Sequence, residues 1–198
     1  PEFASSVNTM DNGYFRCDTW WKNTDTQAAM CIGAVTREPC KDKEIIELAV
    51  KIMEAREEET YVKGTAGYDA WKAMLLDTKW FENSAGFDDL FSKLLVQNDA
   101  MVCIADGRKW AAGYFEEISE KYGEEEKSIC RKASDHFRAA SNIAGEMMAL
   151  IGDWSDIDKM LQNFGSRSVR EKIGGLIDAA KKEDIRAYVQ IKRLLKKI

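Results

Sequence analysis

The chain has 198 residues, about one to one and a half average domains, with 45% hydrophobic residues and only two prolines, which fits a compact unit with a real core. Its formal net charge of −5 leaves no dominant basic footprint for nucleic acid, and no apolar run is long enough to span a bilayer. Five cysteines (Cys17, Cys31, Cys40, Cys103 and Cys130) without a Cys-x-x-Cys pair argue against a secreted disulfide scaffold, so a cytoplasmic protein is expected.

Residues 1–3, Pro-Glu-Phe, look like a vector scar and are set aside, which makes the chain an expected piece of a longer protein. Residues 4–40 are expected to hold a β-hairpin. One strand is the aromatic run GYFRCDTWW (13–21), the turn is KNTD, and the other strand is AAMCIGAVT (28–36). Residues 41–198 read as a helical bundle, giving one mainly α domain overall. The first helix, 41–59, carries Ile45, Leu48, Ala49, Ile52 and Met53 at helical spacing. A second spans 65–76, with Thr65 as its cap and Asp69 near its positive end. From Phe87 an apolar period runs through Phe91, Leu94, Met101, Ala105, Ala112 and Phe115, as one helix or as two bent near Gly107. Another stripe follows through Ile129, Ala133, Phe137, Ala140, Ala144, Met147 and Ile151. GDWSDIDKML opens a short helix, and residues 166–184 and 185–198 are expected to form a closing helix pair. The basic end KRLLKKI suits a helix C-terminus.

Chemistry is sparse. His136 is the single histidine, and no HExxH or Glu-x-x-His pair is present, so neither a metal nor any other cofactor is expected. Cys31, Cys103 and Cys130 lie in apolar patterns, where a thiol acts as a small hydrophobe. The glycines of IGGL (173–176) suit a close helix approach rather than a phosphate loop.

Two polar residues break the apolar stripe of the long helix: Asn98 and Arg108. A buried arginine needs a carboxylate. Asp69, Asp106 and Asp135 are candidates, with Asp69 the first choice. The segment GTAGYDAWKAMLLDTKWF (64–81) places Gly64, Gly67, Tyr68, Trp71, Met74 and Leu75 on one broad face. Such a stripe serves a core or a pocket wall. The six tryptophans include Trp20, Trp21, Trp71, Trp80 and Trp110 near expected element ends or glycines, which favours a pocket. The candidate ligand-binding set is therefore Tyr68, Trp71, Trp80, Asn98, Arg108 and Trp110, with no catalytic residue assigned.

The order of these segments resembles the C-terminal part of bacterial proteins similar to butirosin-biosynthesis protein H, a papain-like or C39-peptidase-like family. The resemblance covers roughly residues 28–190 and is carried by Gly64, Gly67, Tyr68, Asp69, Ala70 and Trp71, by Asp106, Arg108, Ala111 and Ala112, and by Arg170, Ala180 and Glu183. It implies a helical accessory region that closes over a substrate. The family's nucleophilic cysteine and its histidine lie in an upstream part not found here, and His136 matches no catalytic position.

The expectation is a non-catalytic sensor or accessory domain that binds a small molecule or peptide, with no nucleic-acid or membrane partner. Two alternatives stand beside it. One is part of a cysteine-dependent acyltransferase or peptidase using a thiol and His136. The other is an interaction module that forms a homodimer through the hairpin edge.

Overall fold

The computed structural model describes residues 7–9, 15–17, 40–54, 56–57, 61–82 and 86–198. The chain divides into two compact units, Pro1–Pro39 and Cys40–Ile198. In the first, β1 (Val7–Thr9) pairs antiparallel with β2 (Phe15–Cys17), with Val7 opposite Cys17. The hairpin expected between residues 13–21 and 28–36 is not supported. Its first run contributes β2, but the partner of β2 lies upstream, and residues 28–36 fall outside the described residues. The sequence between β1 and β2 contains Asn12-Gly13, a stronger hairpin signal than the KNTD run.

The second unit is mainly helical. Its elements are α1 (Asp42–Met53), a two-residue pairing of β3 (Arg56–Glu57) with β4 (Val62–Lys63), α2 (Ala66–Leu76), α3 (Thr78–Glu82), α4 (Phe87–Ser119), α5 (Glu124–Ile151), α6 (Ile157–Gly165) and α7 (Arg167–Leu195). Among the described residues no helix is long and apolar enough to cross a membrane.

Helix ends follow local chemistry. Glu44 reaches back to accept from the Lys41 backbone N–H at 3.0 Å, and Asp156 caps α6 by accepting from Lys159 N–H at 3.1 Å. Thr65 stands at the start of α2 but makes no side-chain cap bond. The last carbonyls of α6 are satisfied from α7: the Arg170 guanidinium donates to Phe164 O at 3.0 Å and Gly165 O at 2.6 Å. The same group lies 3.7 Å over the Phe81 ring.

α5 is the central helix, flanked by α4 and α7, and α2 packs on α7. All seven residues of its expected stripe, Ile129 through Ile151, are buried. α4 is a single helix of 33 residues, unbroken at Gly107. The expected closing pair is also one helix, 29 residues long. The charged run Lys-Lys-Glu-Asp (181–184) reads as a break, yet Asp184 lies on the buried stripe between Ala180 and Ala187. Gly174 is where α2 crosses α7: a Cβ there would sit 3.4 Å from Leu76 Cδ1. Gly175 faces open space.

The buried face of α1 matches the expected one only in Met53 and the half-buried Ala49. Ile46, Val50 and Met53 are inside, whereas Leu48 and Ile52 are 58% and 60% exposed. Both faces of this helix are apolar, so local periodicity does not choose between them.

Among the described residues the helical unit has two apolar clusters arranged along α4, α5 and α7. One joins Ile46, Val50 and Met53 of α1 to Phe115, Phe137 and Ile191. The other joins Tyr68 and Leu75 of α2 to Met101, Met147, Phe164 and Ile177. Each fully buried Ile, Leu or Met in them contributes about 1.5–3 kcal/mol relative to exposure. On α4 the first cluster begins at Ala112 and the second ends at Met101; on α7 the corresponding limits are Ala187 and Ala180. The waist between the clusters is polar. Arg108 and Asp184 occupy it, and Ser141 Oγ donates to Ala105 O there at 2.7 Å.

Candidate functional site

The site begins with a backbone corner. Gly64 has φ +64°, and a Cβ on it would lie 2.2 Å from Glu54 O and 2.6 Å from Met53 O. Only glycine tolerates both the left-handed conformation and that approach. Thr65 N–H then donates to Met53 O at 3.3 Å. The end of α1 is thereby drawn against the start of α2, which brings Ile52 and Met53 beside Tyr68 and Trp71. Gly67, by contrast, would place a Cβ at an ordinary 3.5 Å from Val62 O.

This corner, α2, the middle of α4 and the middle of α7 line a half-open cavity of about 330 Å³. Its apolar walls include Ile52, Met53, Trp71 and Ile104, and Cys103 also lines it. Tyr68, Arg108 and Asp184 supply its polar wall, with the Thr65 hydroxyl at the corner. Asp184 is only 1% exposed. It accepts from Tyr68 Oη at 2.8 Å, from Arg108 Nε at 2.8 and 2.9 Å, and from Arg108 Nη2 at 2.5 Å. Three helices are thus joined by one carboxylate. The fork of the guanidinium matches the two carboxylate oxygens, a geometry an ammonium could not reproduce.

Burial pushes the Tyr68 hydroxyl well above the usual tyrosine range, and the Asp184 charge pushes it further. Burial opposes the charge on Arg108, but the hydrogen bonds and charge of Asp184 outweigh it, so Arg108 titrates above its usual value. A raised folded value means that the Tyr68 contribution to stability is complete below the ordinary tyrosine range and is lost as pH rises through the raised value. The parent and Tyr68→Phe should therefore show the same tyrosinate absorbance up to about pH 11 while folded. An extra ionisation in the parent near pH ~10 would show that Tyr68 is open to water.

Of the six expected ligand-site residues, Tyr68, Trp71 and Arg108 line this cavity together. Trp80 does not. Its ring packs edge-on to Phe81 at 5.1 Å, with Lys93 Nζ 5.2 Å from its centroid. Trp110 is 71% exposed on the outer face of α4. Asn98 is not among the lining residues either. It is the neighbouring Gln97, fully buried, whose Oε1 accepts from Trp71 Nε1 at 2.6 Å. The expected Asp69–Arg108 pair is corrected as well. Asp69 points outward from α2 to Lys181 at 2.6 Å, and Arg108 takes Asp184 instead. Of the residues that carry the family resemblance, Gly64, Gly67, Tyr68, Trp71 and Arg108 line the cavity, and Asp106 does not.

Asp184, Gln97 and Cys103 were missed from sequence. Asp184 carried a usable signal: it is a charged residue on an apolar helical stripe, the feature that singled out Arg108.

The thiols differ sharply. Cys130 is buried, and burial pushes its thiol up to about 11, with the Asp42 charge adding to the shift. Cys103 is exposed and lines the cavity, so it is not the core hydrophobe expected. Cys31 lies outside the described residues. His136 Nδ1 lies 2.8 Å from Glu183 Oε2, and among the described residues no thiol is hydrogen-bonded to it. Alkylation near neutral pH with mass mapping should label Cys103 well before Cys130. Equal rates would mean that the core around Cys130 opens freely.

Fold and site together define a helical bundle with a part-polar cavity at its waist. No protein family, curated protein or solved structure matches this chain.

Proposed function

We propose that the helical unit is a small-molecule-binding domain whose ligand occupies the waist cavity, with binding rather than catalysis as its task. One observation carries this reading: an apolar cavity ends on a Tyr68–Asp184–Arg108 cluster, its hydroxyl and carboxylate buried, whose own hydrogen bonds hold it in place. Ligand sites combine largely apolar walls with a few fixed polar groups, in clefts of about 300–1,000 Å³. At about 330 Å³ the cavity suits a compact small molecule better than a peptide chain. An accessory or sensor role follows from such binding, because a ligand touching α1, α2, α4 and α7 at once stabilises their mutual arrangement.

Intrinsic fluorescence tests the reading. Among the described residues Trp71 is the only tryptophan that lines the cavity, so a bound aromatic or apolar compound should shift emission in the parent and leave Trp71→Phe nearly silent. Absence of any shift across a broad panel, with no slowing of Cys103 alkylation, overturns it.

A further inference from the structure

We infer that the cavity selects an uncharged ligand with a flat apolar body and one hydrogen-bond acceptor, such as an amide or ketone carbonyl, and discriminates against carboxylates and ammonium groups. This rests on the reading of the cavity as a ligand site and deepens it. Two observations carry the inference, one of charge and one of hydrogen-bond supply.

The charges of the cavity wall cancel. Arg108 and Asp184 are the fully charged lining groups, and they contact each other bidentately. A ligand carboxylate would lose its water, meet a guanidinium already neutralised, and approach the Asp184 charge. An ammonium would meet Asp184 with its lone pairs already engaged and Arg108 alongside. Neither ion recovers its hydration there.

The hydrogen-bond supply is one-sided. Asp184, the strongest acceptor, is engaged by Tyr68 and by two nitrogens of Arg108. The Trp71 indole N–H is spent on Gln97 Oε1. Arginine has donors and no acceptor, and Arg108 Nη1 makes no hydrogen bond among the described residues. The Thr65 hydroxyl, also in the wall, makes no cap bond and can donate or accept. The fixed, charged donor left open is Arg108 Nη1, and the ligand atom that answers it is an acceptor. The Trp71 face and the Met53 side chain favour a flat, polarisable body against the apolar wall.

Four probes with one ring system separate the contributions: naphthalene-2-carboxamide, 2-naphthoate, 2-naphthylmethylammonium and naphthalene. Each is titrated by calorimetry and by protection of Cys103 from alkylation. The carboxamide should bind tightest. Naphthalene should bind about three- to tenfold more weakly, the worth of one hydrogen bond. Both ions should bind more than about tenfold more weakly than the carboxamide, because their lost hydration is not replaced. In Arg108→Lys, which keeps the charge but lacks Nη1, the affinity advantage of the carboxamide over naphthalene measured in the same variant should shrink toward one. If 2-naphthoate or the ammonium binds as tightly as the carboxamide, the neutral-acceptor inference is overturned and the cavity reading stands. If no probe binds or protects Cys103, the cavity reading falls and the inference falls with it. The wild-type panel decides both questions even if Arg108→Lys does not fold.

Discussion

Arg108→Ala should lower the unfolding free energy by about 3–5 kcal/mol at neutral pH, because it strands a buried carboxylate. Arg108 itself keeps 26% of its side chain exposed, but its partner Asp184 keeps only 1%. The buried partner sets the cost: without the guanidinium, Asp184 retains one donor, the Tyr68 hydroxyl. An exposed pair would be worth only about 0–1 kcal/mol. Removing both charges, Arg108→Met with Asp184→Leu, should recover most of the loss, since no ion is left in the waist. Denaturant midpoints for the single and double variants provide the check. A single-variant loss below about 1 kcal/mol would mean that water reaches Asp184 freely. Pairing and pocket lining are not competing roles here, for the same guanidinium does both.

Gly64→Ala is the second large effect. The left-handed φ alone costs a non-glycine residue about 1–2 kcal/mol. The contact at 2.2 Å is with the Glu54 backbone oxygen, which cannot swing aside as a side chain would. The corner must therefore open, moving Ile52 and Met53 away from Tyr68 and Trp71. The expected result is a loss above about 2 kcal/mol together with loss of probe binding at the cavity. Gly67→Ala is the control. Its Cβ finds ordinary contact, its φ is not positive, and it lies within α2. Alanine there should be neutral, or stabilising by up to about 1 kcal/mol. If both variants behave alike in thermal unfolding, the corner is not the constraint described.

The glycine corner shows how far sequence reasoning reaches. Gly64 and Gly67 look equivalent along the chain, three residues apart on one face of the expected second helix. Only the path from α1 into α2 makes one indispensable and the other dispensable. Gln97 and Asn98 differ in the same manner. Either can carry a polar group into the middle of α4, and a rotation of one residue decides which meets Trp71.

Periodic features were legible because they are local. The stripe from Ile129 to Ile151 repeats at three- and four-residue steps, and any helix of that sequence presents it on one face. Arg108 was conspicuous for the same reason, as a charge on an apolar stripe. Features that depend on distant segments were not legible. The inner face of α1 was ambiguous because both of its faces are apolar, and the cluster it docks on made the choice. The break expected near residue 184 was misplaced because a charged run inside a helix reads as a surface turn unless its partner is known. That partner, Arg108, lies 76 residues away, and Tyr68 lies 116 residues away. By itself the sequence determined a mainly helical chain, the stripes of its long helices and the need of Arg108 for a carboxylate. Tertiary structure chose Asp184 and built the cavity around it, because i to i+4 spacing is a property of one helix, whereas a salt bridge joining three helices depends on how they pack.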